Sequence, residues 1–259
     1  LQELEDKNLP IVFRLIDSDE AADVFVEMDS DSQEKLIRVL SDKELEHVVD
    51  DLDVDDAADI AQDLPTNVVK RLLSHADAET RADINQILKY PENSAGSLMT
   101  TEFVSVRANN TVEQALNKVR RVGLEKETIY TLYVTDDQKR LIGVITAKDI
   151  LLAKPDTLIK DIMIEEVIYA NTLDDKEEIA KTFAKYDFIA LPVVDRQHRI
   201  VGIVTVDDAM DVMEQEVEED FSLMAGVAPN EDNYLDTGIF KHYSKRILWV
   251  LILMISGIL

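Results

Sequence analysis

The segment Leu141-Ile-Gly-Val-Ile-Thr146-Ala-Lys-Asp149-Ile returns 59 residues later as Ile200-Val-Gly-Ile-Val-Thr205-Val-Asp-Asp208-Ala. A repeat of this kind restricts the second half of the chain to two copies of one supersecondary unit. Each copy carries an apolar strand, preceded by a second β-rich run at Thr131–Val134 or Ala190–Val194. The polar turns Asp136-Asp-Gln-Lys139 and Asp195-Arg-Gln-His198 join each pair as a hairpin. Helical spacing at Thr111–Arg121 and Asp174–Tyr186, with opening strands near Val104–Val106 and Val167–Ala170, completes each unit. The predicted order is strand, helix, strand, strand, helix, twice over. In each copy the glycine allows close packing on a strand, the threonine ends it, and the aspartate flanks the next helix.

The first third repeats with a different period. Asp19-Glu-Ala-Ala-Asp23-Val recurs as Asp55-Asp-Ala-Ala-Asp59-Ile, 36 residues on, and Met28, Leu36 and Ile37 keep register with Leu64, Leu72 and Leu73. Apolar residues fall at helical spacing, and Asp17, Ser18 and Ser41 stand as N-cap candidates. Short helices with a period in the thirties predict a small superhelix over about residues 1–90.

Charge is clustered as well as large. The chain has 27 basic and 53 acidic residues, a formal charge of −26, which argues against a nucleic-acid backbone as ligand. From Asp17 to Asp63 there are 18 acids against Lys35, Arg38 and Lys43. Between Thr205 and Asp220 stand Asp207, Asp208, Asp211, Glu214, Glu216, Glu218, Glu219 and Asp220 without a lysine or arginine. On a helix, Asp208, Asp211, Glu216, Glu218 and Glu219 fan over one side, and Met210, Met213, Val217, Phe221 and Met224 form a stripe expected to pack. Like charges three or four residues apart cost roughly 0.2–0.5 kcal/mol per pair, so the helix needs its counter-charge from elsewhere. Clustered carboxylates of this kind repel one another unless hard cations such as Mg²⁺ or Ca²⁺ screen or bind them.

There are no cysteines, which excludes disulfides and thiolate metal sites. The apolar run Ile247–Leu259 reads as the beginning of a transmembrane helix, and Lys241, Lys245 and Arg246 before it place the preceding body on the cytoplasmic side. The seven glycines are too scattered for a phosphate-cradling loop, and the four histidines are isolated. No carboxylate pair is marked for acid–base work, so the expectation is a protein that is not an enzyme.

The repeated pattern apolar–apolar-Gly-apolar–apolar-Thr-x-x-Asp resembles a tandem pair of cystathionine-β-synthase (CBS) domains over about residues 98–213. That resemblance implies a cleft for an adenine nucleotide near Thr146, Lys148 and Asp149, with Phe188 to stack. Capping and strand closure explain the same threonine and aspartate equally well.

The whole chain resembles the cytosolic part of the MgtE family of magnesium transporters. The resemblance rests on domain order, Tyr90-Pro-Glu-Asn-Ser-Ala-Gly96-Ser-Leu-Met-Thr100, Tyr186-Asp-Phe188, Leu191-Pro-Val-Val-Asp195, and Lys241-His-Tyr-Ser-Lys-Arg-Ile-Leu-Trp249 at the membrane junction. It implies an α+β fold: a superhelical all-α domain (1–92), CBS domains at 93–155 and 156–206, an acidic connecting or plug helix (207–227), a juxtamembrane linker (228–246) and a transmembrane start (247–259). It further implies a homodimer attached to its own membrane pore, closed by cytosolic Mg²⁺. The implied metal positions are Asp23, Asp55 and Asp59; Asp175, Glu177, the Ala184 carbonyl and Asp187; and Asp208, Asp211, Glu216, Glu219 and Asp220. A nucleotide-sensing CBS module is the alternative expectation, with ATP as its ligand.

Overall fold

The computed structural model describes residues 8–224. The expectations for residues 225–259, the linker and the membrane entry among them, lie outside the described residues. Among the described residues no helix is long and apolar enough to cross a membrane.

Among the described residues, seven helices form the first body: α1 (Leu9–Phe13), α2 (Ser18–Val26), α3 (Ser30–Val39), α4 (Asp42–Asp50), α5 (Val54–Asp63), α6 (Thr66–His75) and α7 (Ala78–Ile87). Asp29, Ser41 and Asp77 start α3, α4 and α7 by accepting hydrogen bonds from backbone N–H groups of the first turn. Most helices pack on the one two along the chain, α2 on α4, α4 on α6 and α5 on α7, and α3 packs on α6. That is the stacking expected of a superhelix. Phe25, Leu36, Leu45, Ala58, Leu72 and Ile84 fill its axis, each nearly or fully buried. Arg71 ties two turns together, donating to the carbonyls of Ile37 and Leu40.

The second body contains the predicted double unit. Strand β1 (Ser105–Arg107), α8 (Val112–Val122), β2 (Thr131–Thr135), β3 (Leu141–Thr146) and α9 (Ala147–Leu152) form one copy. Strand β4 (Ala170–Asn171), α10 (Lys176–Tyr186), β5 (Ala190–Val194), β6 (Ile200–Thr205) and α11 (Val206–Met224) form the other. In both sheets the first strand runs parallel to the second, and the second and third form the antiparallel hairpin. The hairpin turns place Lys139 and His198 at φ 63° and 61°.

The copies exchange their leading segments. Thr100 and Ile203 donate to each other's carbonyls at 2.8 and 2.9 Å, so the run before β1 pairs with β6. Reciprocally, Val144 and Ile164 bond at 2.9 and 2.8 Å, so the run before β4 pairs with β3. Close approach here requires the two repeat glycines. A Cβ on Gly202 would stand 2.6 Å from Met99 Sδ, and one on Gly143 would stand 2.8 Å from Met163 Sδ. Tyr133, Leu141, Val194, Ile200 and Ile203 form the shared core where the sheets meet. This reciprocal clasp makes one body of the two units.

Candidate metal-binding site

The two repeated Thr-x-x-Asp motifs are helix caps. Thr146 Oγ1 donates to Asp149 Oδ2 at 2.5 Å and accepts from the Asp149 N–H, a capping box that starts α9. Thr205 Oγ1 donates to Asp208 Oδ2 at 2.5 Å at the start of α11. This bond fixes Asp208 at the head of the acidic helix.

Helix α5 carries its own carboxylates to the same place. Asp55 is buried, and its Oδ1 has no hydrogen-bond partner. Burial, then the charges of Asp208, Asp56 and Glu127, push the Asp55 carboxyl well above its ordinary range. Asp59 still reaches solvent, yet partial burial followed by the charges of Asp208 and Asp63 raises it to about 7. Asp56 is raised to about 7 by burial, Asp53 and Asp208. Glu127, from the first CBS unit, is raised to about 7 by burial, then Asp53, Asp207 and Asp208. Asp208 itself rises to about 6 through burial and Asp207, against the restraint of the Thr205 bond. Three chain segments thus confront one another through negative charge, with Lys176 as a lowering influence on Asp59. Such an arrangement favours protons or a hard cation with oxygen ligands.

The other predicted positions sit apart or at the edge. Asp23 is exposed on α2 and acts on Asp53, which burial and that charge raise. Asp175 caps α10, accepting from Glu177 N at 2.9 Å, and Glu177 pairs with Lys181. Ala184 is exposed near the end of α10, and Asp187 closes that helix in the left-handed region at φ 53°. Burial, Asp207 and Glu214 raise Asp211, which is exposed with Glu219 and Asp220, whereas Glu216 is half-buried. Lys148 is exposed, and Phe188 stacks on Tyr186 at 5.5 Å instead of standing free.

One expectation about α11 is corrected. Met210, Met213, Val217 and Phe221 are exposed at 62%, 41%, 54% and 67%. The helix packs on α10 and β6 through Ala209 and Val212, the first within a cluster containing Phe183 and Val204. Ala209, Val212 and Glu216 share one face at i, i+3 and i+7, and the small Ala209 admits close approach. Sequence reasoning also missed Asp53, Asp56, Glu102, Glu127 and Asp207. Asp56 and Asp207 lie inside the two repeats, and Asp53 stands just before the first of them, whereas Glu102 and Glu127 belong to no repeat and only the tertiary fold brings Glu127 to α5.

An acidic helical superhelix joined to a clasped CBS pair defines a CBS-containing regulatory region. Residues 1–93 match the MgtE intracellular N domain, and residues 95–156 and 159–215 each match the CBS domain. A magnesium transporter MgtE of Thermus thermophilus is 42% identical over 188 residues, 73% of this chain and 42% of the relative. The cytosolic domain of the Mg²⁺ channel MgtE, crystallised in complex with ATP, aligns with TM-score 0.77 and 39% identity over 81% of this chain and 86% of that one. The soluble part of a magnesium transporter aligns with TM-score 0.74 and 34% identity over 83% and 85%. The chain belongs to the MgtE family and corresponds to its cytosolic region. It spans about two-fifths of the length of the curated relatives it matches.

Proposed function

We propose that this chain senses cytosolic Mg²⁺ for a membrane magnesium pathway and favours its closed state when the ion is abundant. The observation that carries the reading is the buried, unpartnered Asp55 Oδ1 set against Asp208, with Asp59 beside them. Bound Mg²⁺ supplies positive charge and prefers about six oxygen ligands, several of them water. Asp55 and Asp59 hold the α5 side and Asp208 the α11 side, so occupancy favours their approach. Asp23, Asp211, Glu216, Glu219 and Asp220, with Asp175, Glu177, the Ala184 carbonyl and Asp187 on the second CBS unit, are proposed as further oxygen ligands. At low Mg²⁺ these carboxylates repel and the two bodies separate, a shift of population rather than a reaction.

The active form is proposed as a homodimer, with the exposed stripe Met210, Met213, Val217 and Phe221 facing a second copy. Its other partner is its own pore in the cell membrane, with this region on the cytoplasmic face. Limited proteolysis across an Mg²⁺ titration tests the proposal. Protection should rise with Mg²⁺ in the wild type and much less in Asp55→Asn/Asp208→Asn; equal protection in both would sink it.

The ATP complex of a relative favours a second, compatible reading in which the CBS cleft takes an adenine nucleotide. Thr146, Lys148, Asp149 and Phe188 are the proposed contacts. Equilibrium dialysis with ATP should show binding that Asp149→Ala abolishes, and undiminished binding by that variant would remove the assignment.

A further inference from the structure

A lysine sits at the seam between the two bodies without a carboxylate of its own. Lys176 is the first residue of α10, and its backbone N–H donates to the Asn93 carbonyl at 3.3 Å, on the segment leading out of the helical body. Its Nζ donates to Gln215 Oε1 of α11 at 3.5 Å, the outer limit of a hydrogen bond. Gln215 follows Asp208 by seven residues and Asp211 by four, so the three share one side of α11. From the helical body comes α5: the positive charge of Lys176 draws the Asp59 carboxyl down, against burial first and then Asp208 and Asp63. Helices α5, α10 and α11 therefore meet around one ammonium group.

The local structure gives no reason for a cation at this position. Helix N-termini favour negative charge, which α10 supplies through the Asp175 cap, Glu177 and Glu178. Glu177 pairs with Lys181 one turn along. Among the described residues Lys176 forms no ion pair, within α10 or across it. A lysine at the head of a helix, set against the dipole and left unpaired, breaks a local rule, and such breaks point to a role beyond the element. Its surroundings supply one, because the carboxylates of α5 and of the head of α11 confront each other there.

We infer that Lys176 is a built-in cation that draws the helical body towards the second CBS unit when no divalent ion is bound, and so sets how far the sensor is closed at rest. The inference rests on the Mg²⁺ reading above, since the seam it closes is the one that reading gives to the ion. An ammonium carries a single charge on a flexible four-carbon stem and presents three donors without a fixed coordination geometry. It therefore attracts the α5 carboxylates weakly and reversibly, where an ion would gather them into one shell. Once an ion neutralises Asp55, Asp59 and Asp208, the pull of Lys176 on Asp59 lapses and the ammonium is left to Gln215 and Asp211. Lys176 thus narrows the difference between the ion-free and ion-bound states, and the size of the response to Mg²⁺ depends on it.

The test compares the full 259-residue wild type with Lys176→Met and Lys176→Arg, by the rate of limited proteolysis between the bodies, in EDTA and through an Mg²⁺ titration. Surface ion pairs shift an equilibrium by up to about fivefold, so metal-free cleavage should be about two- to fivefold faster in Lys176→Met. Lys176→Arg keeps the charge and should stay near the wild type. At saturating Mg²⁺ all three should be cleaved at one slow rate, and added salt should narrow the metal-free gap between the wild type and Lys176→Met. Equal metal-free cleavage of the wild type and Lys176→Met overturns the inference, even where Mg²⁺ protects both. A wild type that Mg²⁺ does not protect removes the Mg²⁺ reading, and the metal-free comparison still decides the part played by Lys176. Cleavage of Lys176→Arg as fast as that of Lys176→Met also contradicts the inference, because charge would then be irrelevant. Melting by circular dichroism guards against misfolding. Faster cleavage of Lys176→Met with an unchanged melt supports the built-in cation, whereas faster cleavage with a much lower melt contradicts it by showing that the residue supports the fold of its own unit.

Discussion

At the scale of single residues, the crowded carboxylates make stability depend on pH in a definite direction. Asp56, Asp59 and Glu127 titrate near 7 in the folded chain because burial and neighbouring charges disfavour their ionised forms. In an unfolded chain such groups titrate near about 4. Between those values the folded state holds more protons, so stability is highest below the window and falls as pH rises through about 7. Without metal, the melting temperature should drop between about pH 4.5 and 7 and level off above that, and saturating Mg²⁺ should flatten the trend; a metal-free melt that rises with pH would contradict the electrostatic account. Asp55→Asn should raise metal-free stability and shrink the gain on adding Mg²⁺, read by calorimetry. Asp55, Asp59 and Asp208 were legible in the sequence through the acidic repeat and the family resemblance. Asp53, Asp56 and Asp207 adjoin these residues in sequence but carried no separate signal, and Glu102 and Glu127 were not legible because only the packing of segments distant in sequence brings them near α5.

Among the elements, the repeated strand–helix units and the superhelix of short helices followed directly from periodicity and caps. The exchange of leading segments did not, since Thr100 pairing with Ile203 is a long-range event without a local signature. Its sensitivity can be measured. Gly202→Ala forces a Cβ to within 2.7 Å of the Thr100 carbonyl oxygen. Overpacking of this kind costs about 1–3 kcal/mol, so chemical denaturation should show destabilisation of that order. Helix α11 shows why hydrophobic spacing alone misleads. Its larger apolar stripe, Met210 to Phe221, stays exposed, and the shorter Ala209–Val212 face makes the contact, because small side chains allow the helix to approach α10. If a second copy covers that stripe, Met213→Glu/Phe221→Glu should shift sedimentation towards monomer while leaving the helix content unchanged. A dimer of undiminished strength would reject that pairing.

For the whole molecule, two bodies of like charge are held in contact where α5 meets Glu127 and the head of α11. If a divalent ion holds that contact, as proposed, the distance between bodies should follow Mg²⁺ while each body keeps its own fold. In an intact transporter, Asp208→Asn/Asp211→Asn should leave a pathway less able to close at high Mg²⁺, measured as residual ion flux. The most direct measurement is small-angle X-ray scattering of the 259-residue chain through an Mg²⁺ titration. The radius of gyration should fall as Mg²⁺ rises, and Asp55→Asn/Asp59→Asn/Asp208→Asn should markedly weaken the dependence. A wild-type radius that ignores Mg²⁺ at near-neutral pH would contradict the account.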